Sequence, residues 1–184
     1  MSVYIVVYQG LKKYEGKVDE AYGNCDEDTN LFEVDGNSEC PEFLDGLEID
    51  DVYSYRGEVW FGFGEGPALN ENLEKLAGLV AYDSQMPGAN EPGPFRELFR
   101  WGGVGTIGPV ASAKLAADFA DWDADARARC DASFYSFFAT MRAMFDCVVA
   151  GACVQYRVKP RRAVVHQIQR KHVDARISPH GLHP

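Results

Sequence analysis

A glycine-rich turn divides this chain into two halves of different character. Four glycines lie within the seven residues from Gly102 to Gly108, and Pro109 follows them directly. Glycine allows backbone turns that a side chain forbids, and proline suits the first position of a helix. Residues before the turn have the pattern of short strands and one helix, whereas residues after it have the pattern of two long helices and a closing strand. We therefore expect an α+β fold.

The apolar spacing gives approximate bounds for the elements. We expect strands over residues 4–8, 31–34, 52–55, 59–63 and 153–156, and the strands 52–55 and 59–63 are expected to form a hairpin with its turn at 56–58. Helices are expected over 67–82, 109–129 and 132–150, and 95–101 fits either a strand or a helical turn. The third helix has the clearest stripe, at Phe134, Phe137, Phe138, Met141, Phe145, Val148 and Val149.

These elements predict one α+β domain over residues 1–156, in which a small, mainly antiparallel sheet is packed by about three helices. The length suffices for one sizeable core. Residues 157–184 contain three prolines, all four histidines, seven Lys or Arg residues and one Asp. They lack apolar periodicity, so we expect a basic tail outside the folded domain.

Charge is distributed very unevenly along the chain. Residues 1–156 contain 27 acidic and 11 basic side chains, a net charge of −16, whereas the tail has a net charge of +6. Fourteen of the acids lie between Glu15 and Asp51, where Lys17 is the single basic residue. Such a body repels phosphates, so direct binding to nucleic acid is not expected. The acidic stretch is either a solvated surface or a site for a basic partner.

The length of the apolar runs and the spacing of the cysteines indicate the cellular compartment of the protein. The run Val3–Tyr8 is too short for a signal peptide core, and no run approaches the roughly 18 residues of a membrane span. Five widely spaced cysteines lack the two-residue spacing of a zinc knuckle. We expect reduced cysteines in a cytoplasmic protein that does not bind membranes.

Histidine is absent from residues 1–165, which excludes many catalytic groups from the body. Neither a Ser-His nor a Cys-His pair is available there. Carboxylate chemistry is still open. Asp118, Asp121 and Asp125 share one predicted helix face and are weak candidates for a magnesium site, and residues 121–125 match the front of a calcium loop without its later glycine and glutamate. A solvated face is favoured, and no cofactor is expected.

The glycine turn also matches a phosphate-binding pattern. Gly103, Gly105 and Gly108 form G-x-G-x-x-G before a helix. However, the preceding segment is charged, and a second helix follows where a parallel strand belongs. We favour a structural turn of Gly103, Gly105, Gly108 and Pro109, in which Gly105 or Gly108 adopts a positive φ.

Two groups of residues are candidates for binding a partner. Asp26, Glu27 and Asp28 lie in the acidic stretch, and Trp60, Phe63 and Trp101 are aromatic residues in glycine-rich segments. Aromatic residues next to glycine line interfaces or ligand pockets, but they also pack the core where a strand meets a helix.

The run from Gly105 through Phe119, with the aromatic helix that follows, resembles a group of small uncharacterised bacterial and phage proteins. In that group a Gly-Ile-Gly turn precedes a Lys-Leu-Ala-x-Asp-Phe helix, and residues 114–119 here are Lys-Leu-Ala-Ala-Asp-Phe. The segment from Phe61 to Leu73, with Asn70, is similar to an upstream strand and helix of the group. The resemblance brings no known activity and no site residues.

Three functions are compatible with these observations. The first is a protein-binding module, of the inhibitor or immunity type, with an acidic surface for a basic partner. The second is a carboxylate-based enzyme or a binder of a small molecule or metal. The third is a mimic of DNA, which requires carboxylates spaced like phosphates on one face. The first is the leading hypothesis.

Overall fold

The α+β class is confirmed by the computed structural model, which describes residues 2–16, 30–35, 41–44, 46–85, 92–101, 105–148 and 151–159. In these ranges the strands are β1 (Ser2–Gln9), β2 (Lys12–Lys13), β3 (Leu31–Glu33), β4 (Val52–Ser54), β5 (Gly57–Glu65), β6 (Thr106–Ile107) and β7 (Cys153–Lys159). The α-helices described are α1 (Gly66–Leu79), α2 (Arg96–Trp101), α3 (Pro109–Asp121), α4 (Asp123–Arg129) and α5 (Ala132–Asp146), and Pro41–Leu44 forms a 3-10 helix.

The strands form two antiparallel sheets. The larger has the order β5-β1-β7-β6 and the smaller has the order β2-β4-β3. β1 lies inside the larger sheet, where Ile5 is opposite Phe61 on one side and Tyr156 on the other. A strand paired along both edges can be buried on both faces, and β1 has the matching sequence Val-Tyr-Ile-Val-Val-Tyr.

Alternate residues of β1 belong to two separate cores. Val3, Ile5 and Val7 pack into the main core with the helices, whereas Val6 and Tyr8 pack into a second core with residues of the smaller sheet. The period of two along a strand accounts for this division. The molecule therefore has three layers, with helices, the four-stranded sheet and the three-stranded sheet in that order.

The predicted hairpin at 56–58 is wrong. β4 pairs with β2 and β3, whereas β5 pairs with β1, so the two strands lie in different sheets. The chain changes sheets at Tyr55 and Arg56, whose N–H groups donate to Asn30 O and Gln9 O at 3.0 and 2.9 Å. Tyr53 of β4 is buried in the second core, whereas Phe61 and Phe63 of β5 pack against the main core.

One predicted helix is interrupted, and another ends three residues earlier than expected. The helix predicted over 109–129 is two helices, because Trp122 (φ −94°, ψ 3°) leaves helical geometry between Asp121 and Asp123. The helix predicted to reach Tyr82 ends at Leu79, where Ala81 adopts φ 53° and Tyr82 N donates to Ala77 O at 2.8 Å. This is the Schellman arrangement, usually built with glycine at the position of Ala81.

The apolar stripe of α5 is confirmed from Phe134 to Phe145, since Phe134, Phe137, Phe138, Met141, Met144 and Phe145 are buried. Val148 lies beyond the end of α5 and is half-buried, and Val149 lies outside the described residues. α5 ends at Asp146, four residues before the predicted end. The charged segment that precedes the glycine turn forms the short helix α2, which is one of the two structures that its sequence fits.

The last strand extends three residues beyond its expected end. Arg157, Val158 and Lys159 pair with Tyr4, Val3 and Ser2 of β1, so the first residues of the expected tail belong to the larger sheet. Residues 160–184 lie outside the described residues. No helix within the described ranges is long and apolar enough to cross a membrane.

Candidate functional site

Of the six predicted binding residues, the structure describes the side chains of Trp60 and Phe63, and it places these two apart. Trp60 packs against the second core and lies edge-on to Tyr4 at 5.9 Å, whereas Phe63 packs against Phe137 of the main core at 5.8 Å. The two rings therefore lie on opposite faces of β5 and support the core. Trp101 is the last residue of α2. Asp26, Glu27, Asp28 and Gly103 lie outside the described residues, as does the side chain of Trp101.

Part of the acidic stretch forms one edge of the three-stranded sheet. Val34 N donates to Asp51 O at 2.8 Å, and Asp50 N donates to Val34 O at 3.0 Å. These bonds hold the end of β3 beside the turn before β4. Five carboxylates lie on these two segments, and we call them the acidic edge: Glu33, Asp35, Glu48, Asp50 and Asp51.

Lys13 partly neutralises one end of the acidic edge. Its Nζ lies 3.0 Å from Glu48 Oε2 and 2.5 Å from Asp51 Oδ2. The hydrogen bond from Lys13 holds the pKa of Asp51 below its usual value. Lys13 is itself on β2, which pairs with β4. The neutralising cation is thus supplied by the sheet that carries the acids.

At the other end the carboxylates repel one another. Burial raises the pKa of Glu33 above its usual value, and the negative charges of Asp50 and Asp35 raise it further, while Arg157 acts in the opposite direction. A neighbouring like charge disfavours ionisation. The local field at Glu33 is therefore negative despite the nearby guanidinium.

We expect Glu33→Gln to melt at a higher temperature than the wild type at pH 7 and at the same temperature at pH 3. Because the pKa of Glu33 is raised on folding, its contribution to stability is present below the unfolded pKa and is lost as the pH rises through the folded pKa. Calorimetry at both pH values measures the difference. Glu74→Gln, on the exposed side of α1, controls for the lost negative charge, and an equal gain in both variants at pH 7 would contradict the prediction.

The glycine turn contacts the chain's own backbone. Gly105 has φ 88°, as expected for one of the two glycines, but Gly108 has φ −75°. Gly108 N donates to Phe43 O at 2.6 Å, and a Cβ at Gly108 would lie 2.2 Å from Leu44 O. Pro109 occupies the first helical position, as predicted. The N–H that a phosphate would require at Gly108 is already used.

The predicted carboxylate face of α3 and α4 is occupied by ion pairs. Asp118 Oδ2 lies 2.7 Å from Lys114 Nζ and accepts a hydrogen bond from Phe95 N at 2.7 Å, while Asp125 is paired with Arg129. Asp121 is exposed. Within the described part of the chain, no three carboxylate, thiol or imidazole groups are arranged to hold a metal. Lys114 and Asp118 instead fix the segment that enters α2.

Two polar contacts were not anticipated from the sequence. Asp123 binds Arg127, Arg142 and Tyr135 at 3.0–3.2 Å and so joins α4 to α5. Burial by itself would raise the pKa of Asp123, but hydrogen bonds from Tyr135 and Arg142 hold that pKa below its usual value. Arg100 of α2 forms an ion pair with Glu42 at 2.8 Å. Only the Asp123–Arg127 pair, four residues apart on one helix, has a local sequence signal.

Comparison with protein-family models, curated proteins and solved structures gives no match. The resemblance to small bacterial and phage proteins therefore stays a prediction, and the site is interpreted from its own geometry.

Proposed function

We propose that this chain is a cytoplasmic protein-binding module, of the inhibitor or immunity type, that presents the acidic edge to a basic partner. The observation that carries the proposal is the placement of Glu33, Asp35 and Asp50 on adjacent segments, which the backbone hydrogen bonds of Val34 hold side by side. A cationic partner complements these like charges, and the charges of Asp50 and Asp35 add to burial in raising the pKa of Glu33.

Two further features support a protein partner. Asp35, Glu48 and Asp50 are exposed, so they are accessible to a macromolecule. The three cysteines described, Cys130, Cys147 and Cys153, are free thiols, in agreement with a reducing compartment. The Asp118 face lends less support to a metal-dependent reaction, because Lys114 and the Phe95 amide already bind Asp118.

The test is a capture experiment followed by kinetics. A partner purified on the immobilised full chain should be basic, and its association should slow as salt rises from 0.05 to 0.5 M, since charges are screened over about 10 Å at 0.1 M. The variant Glu33→Gln/Asp35→Asn/Asp50→Asn should associate about tenfold more slowly at low salt. We expect Asp26→Asn/Glu27→Gln/Asp28→Asn to act in the same direction.

A matched control separates the acidic edge from total charge. Glu71→Gln/Glu74→Gln/Asp83→Asn removes the same three negative charges from exposed positions on and after α1, on the helical side of the molecule. Equal slowing in both triple variants would contradict a localised site. If instead magnesium or calcium raised the melting temperature and Asp121→Asn abolished the rise, the metal-binding alternative would replace the proposal.

A further inference from the structure

The 3-10 helix Pro41–Leu44 packs on the glycine turn and begins the segment that leads to the acidic edge. Phe43 and Leu44 are 6% and 4% exposed, and Phe43 O accepts the hydrogen bond from Gly108 N. Leu47 N donates to Leu44 O at 3.0 Å, and Asp51 N donates to Glu48 O at 3.2 Å. We call residues 41–44 and 46–51 the strap.

Arg100 holds the strap from the side of α2. Its Nη1 lies 2.8 Å from Glu42 Oε1, and its guanidinium carbon lies 5.1 Å from the centre of the Phe43 ring. The side chains of Arg100 and Glu42 are 28% and 52% exposed. Arg100 therefore contacts two successive residues of the strap, one through charge and one through the face of an aromatic ring.

We infer that Arg100 is a positioning residue that, together with the Gly108 amide, latches the strap onto the body and so keeps the acidic edge ordered for its partner. This inference rests on the proposed function, because the acidic edge is the surface that the latch orders. A partly exposed ion pair is weak, so the latch can open without global unfolding. An edge that is already ordered does not lose conformational freedom on binding, which strengthens association.

Hydrogen exchange of the full chain tests the latch without any partner. The exchange rates of the Gly108, Leu47 and Asp50 amides report opening of the strap directly. Each of these amides donates a hydrogen bond in which the donor, the acceptor or both belong to the strap. We expect Arg100→Gln to speed their exchange about fivefold, the effect of losing one partly exposed ion pair and one cation–π contact. Amides of the core strand β1 should exchange as in the wild type.

Two further variants control for charge. Arg129→Gln removes the same positive charge from an exposed pair with Asp125 on α4 and should leave exchange in the strap unchanged. The double variant Arg100→Glu/Glu42→Arg keeps the net charge and re-forms the pair with reversed signs, so it should slow exchange again in part, because the contact of Arg100 with the Phe43 ring is not re-formed. Unchanged exchange in Arg100→Gln, or no rescue by the reversed pair, would overturn the latch.

A lysine decapeptide serves as the basic probe for the functional arm. Arg100→Gln and Arg129→Gln both make the protein more negative, yet we expect only Arg100→Gln to bind the probe about threefold more weakly than the wild type, because its edge must be ordered on binding. Equal affinities of the two variants would show that the latch does not serve binding. If the wild type failed to bind the probe, the proposed function would be contradicted, while the exchange data would still decide the latch.

Discussion

Replacing Gly108 with alanine should lower the free energy of unfolding by about 2–4 kcal/mol. Gly108 has an ordinary φ of −75°, so the cost does not come from backbone strain. It comes from space, because a Cβ would lie 2.2 Å from Leu44 O, 2.6 Å from Leu44 C and 3.0 Å from Phe43 O. All three are backbone atoms, which cannot rotate away as the end of a side chain can. The strap must move, and the Gly108–Phe43 hydrogen bond is lost.

Chemical denaturation of Gly108→Ala measures this cost, and Gly78→Ala is its matched control. Gly78 lies in α1, and beyond its chain neighbours and the backbone of its own helix no atom lies within 4 Å of where a Cβ would be. Alanine there should raise the free energy of unfolding by about 0.5–1 kcal/mol, because alanine is the better helix former. The two substitutions are chemically identical and opposite in expected sign. A Gly108→Ala protein as stable as the wild type would mean that the strap does not lie against the turn.

The sequence predicted those parts of the fold that depend on local pattern. The glycines before Pro109 indicated a tight turn into a helix, and Phe134 to Phe145 indicated a buried helix face; both are present. The sequence did not predict which strands pair. Ser54 and Gly57 are three residues apart, yet they belong to different sheets, and the change of sheet depends on hydrogen bonds to Asn30 and Gln9 far away in the chain.

In the candidate site, too, the sequence predicted the features that depend on local pattern but not those that depend on tertiary contacts. The surplus of acids between Glu15 and Asp51 was evident from composition, and the Lys114–Asp118 pair fits helical spacing. The register that sets Asp50 beside Val34 was not predictable, because a turn and a strand end must be aligned by tertiary hydrogen bonds. Arg100 and Glu42 are 58 positions apart. No local pattern connects them, so the latch was visible only in three dimensions.

Phe119→Ala should be the most destabilising single truncation that we predict, at about 3–5 kcal/mol. Phe119 is fully buried, and its ring centre lies 4.7 Å from Phe95, 4.9 Å from Phe138 and 5.7 Å from Phe145. These rings belong to the entry of α2 and to α5, so Phe119 of α3 connects three helical segments. Alanine would leave a cavity in contact with all three, and neighbours fixed on separate helices cannot readily collapse to fill it.

The melting temperature of Phe119→Ala should fall by about 10 °C, since each kcal/mol shifts a domain of this size by roughly 2–4 °C. Val110→Ala is the control on the same helix, because Val110 is 67% exposed and its truncation should change stability by less than about 0.5 kcal/mol. Similar melting of the two variants would contradict an aromatic core centred on Phe119. A large loss confined to Phe119→Ala would show that this aromatic cluster stabilises the main core, which the helices form with one face of the larger sheet.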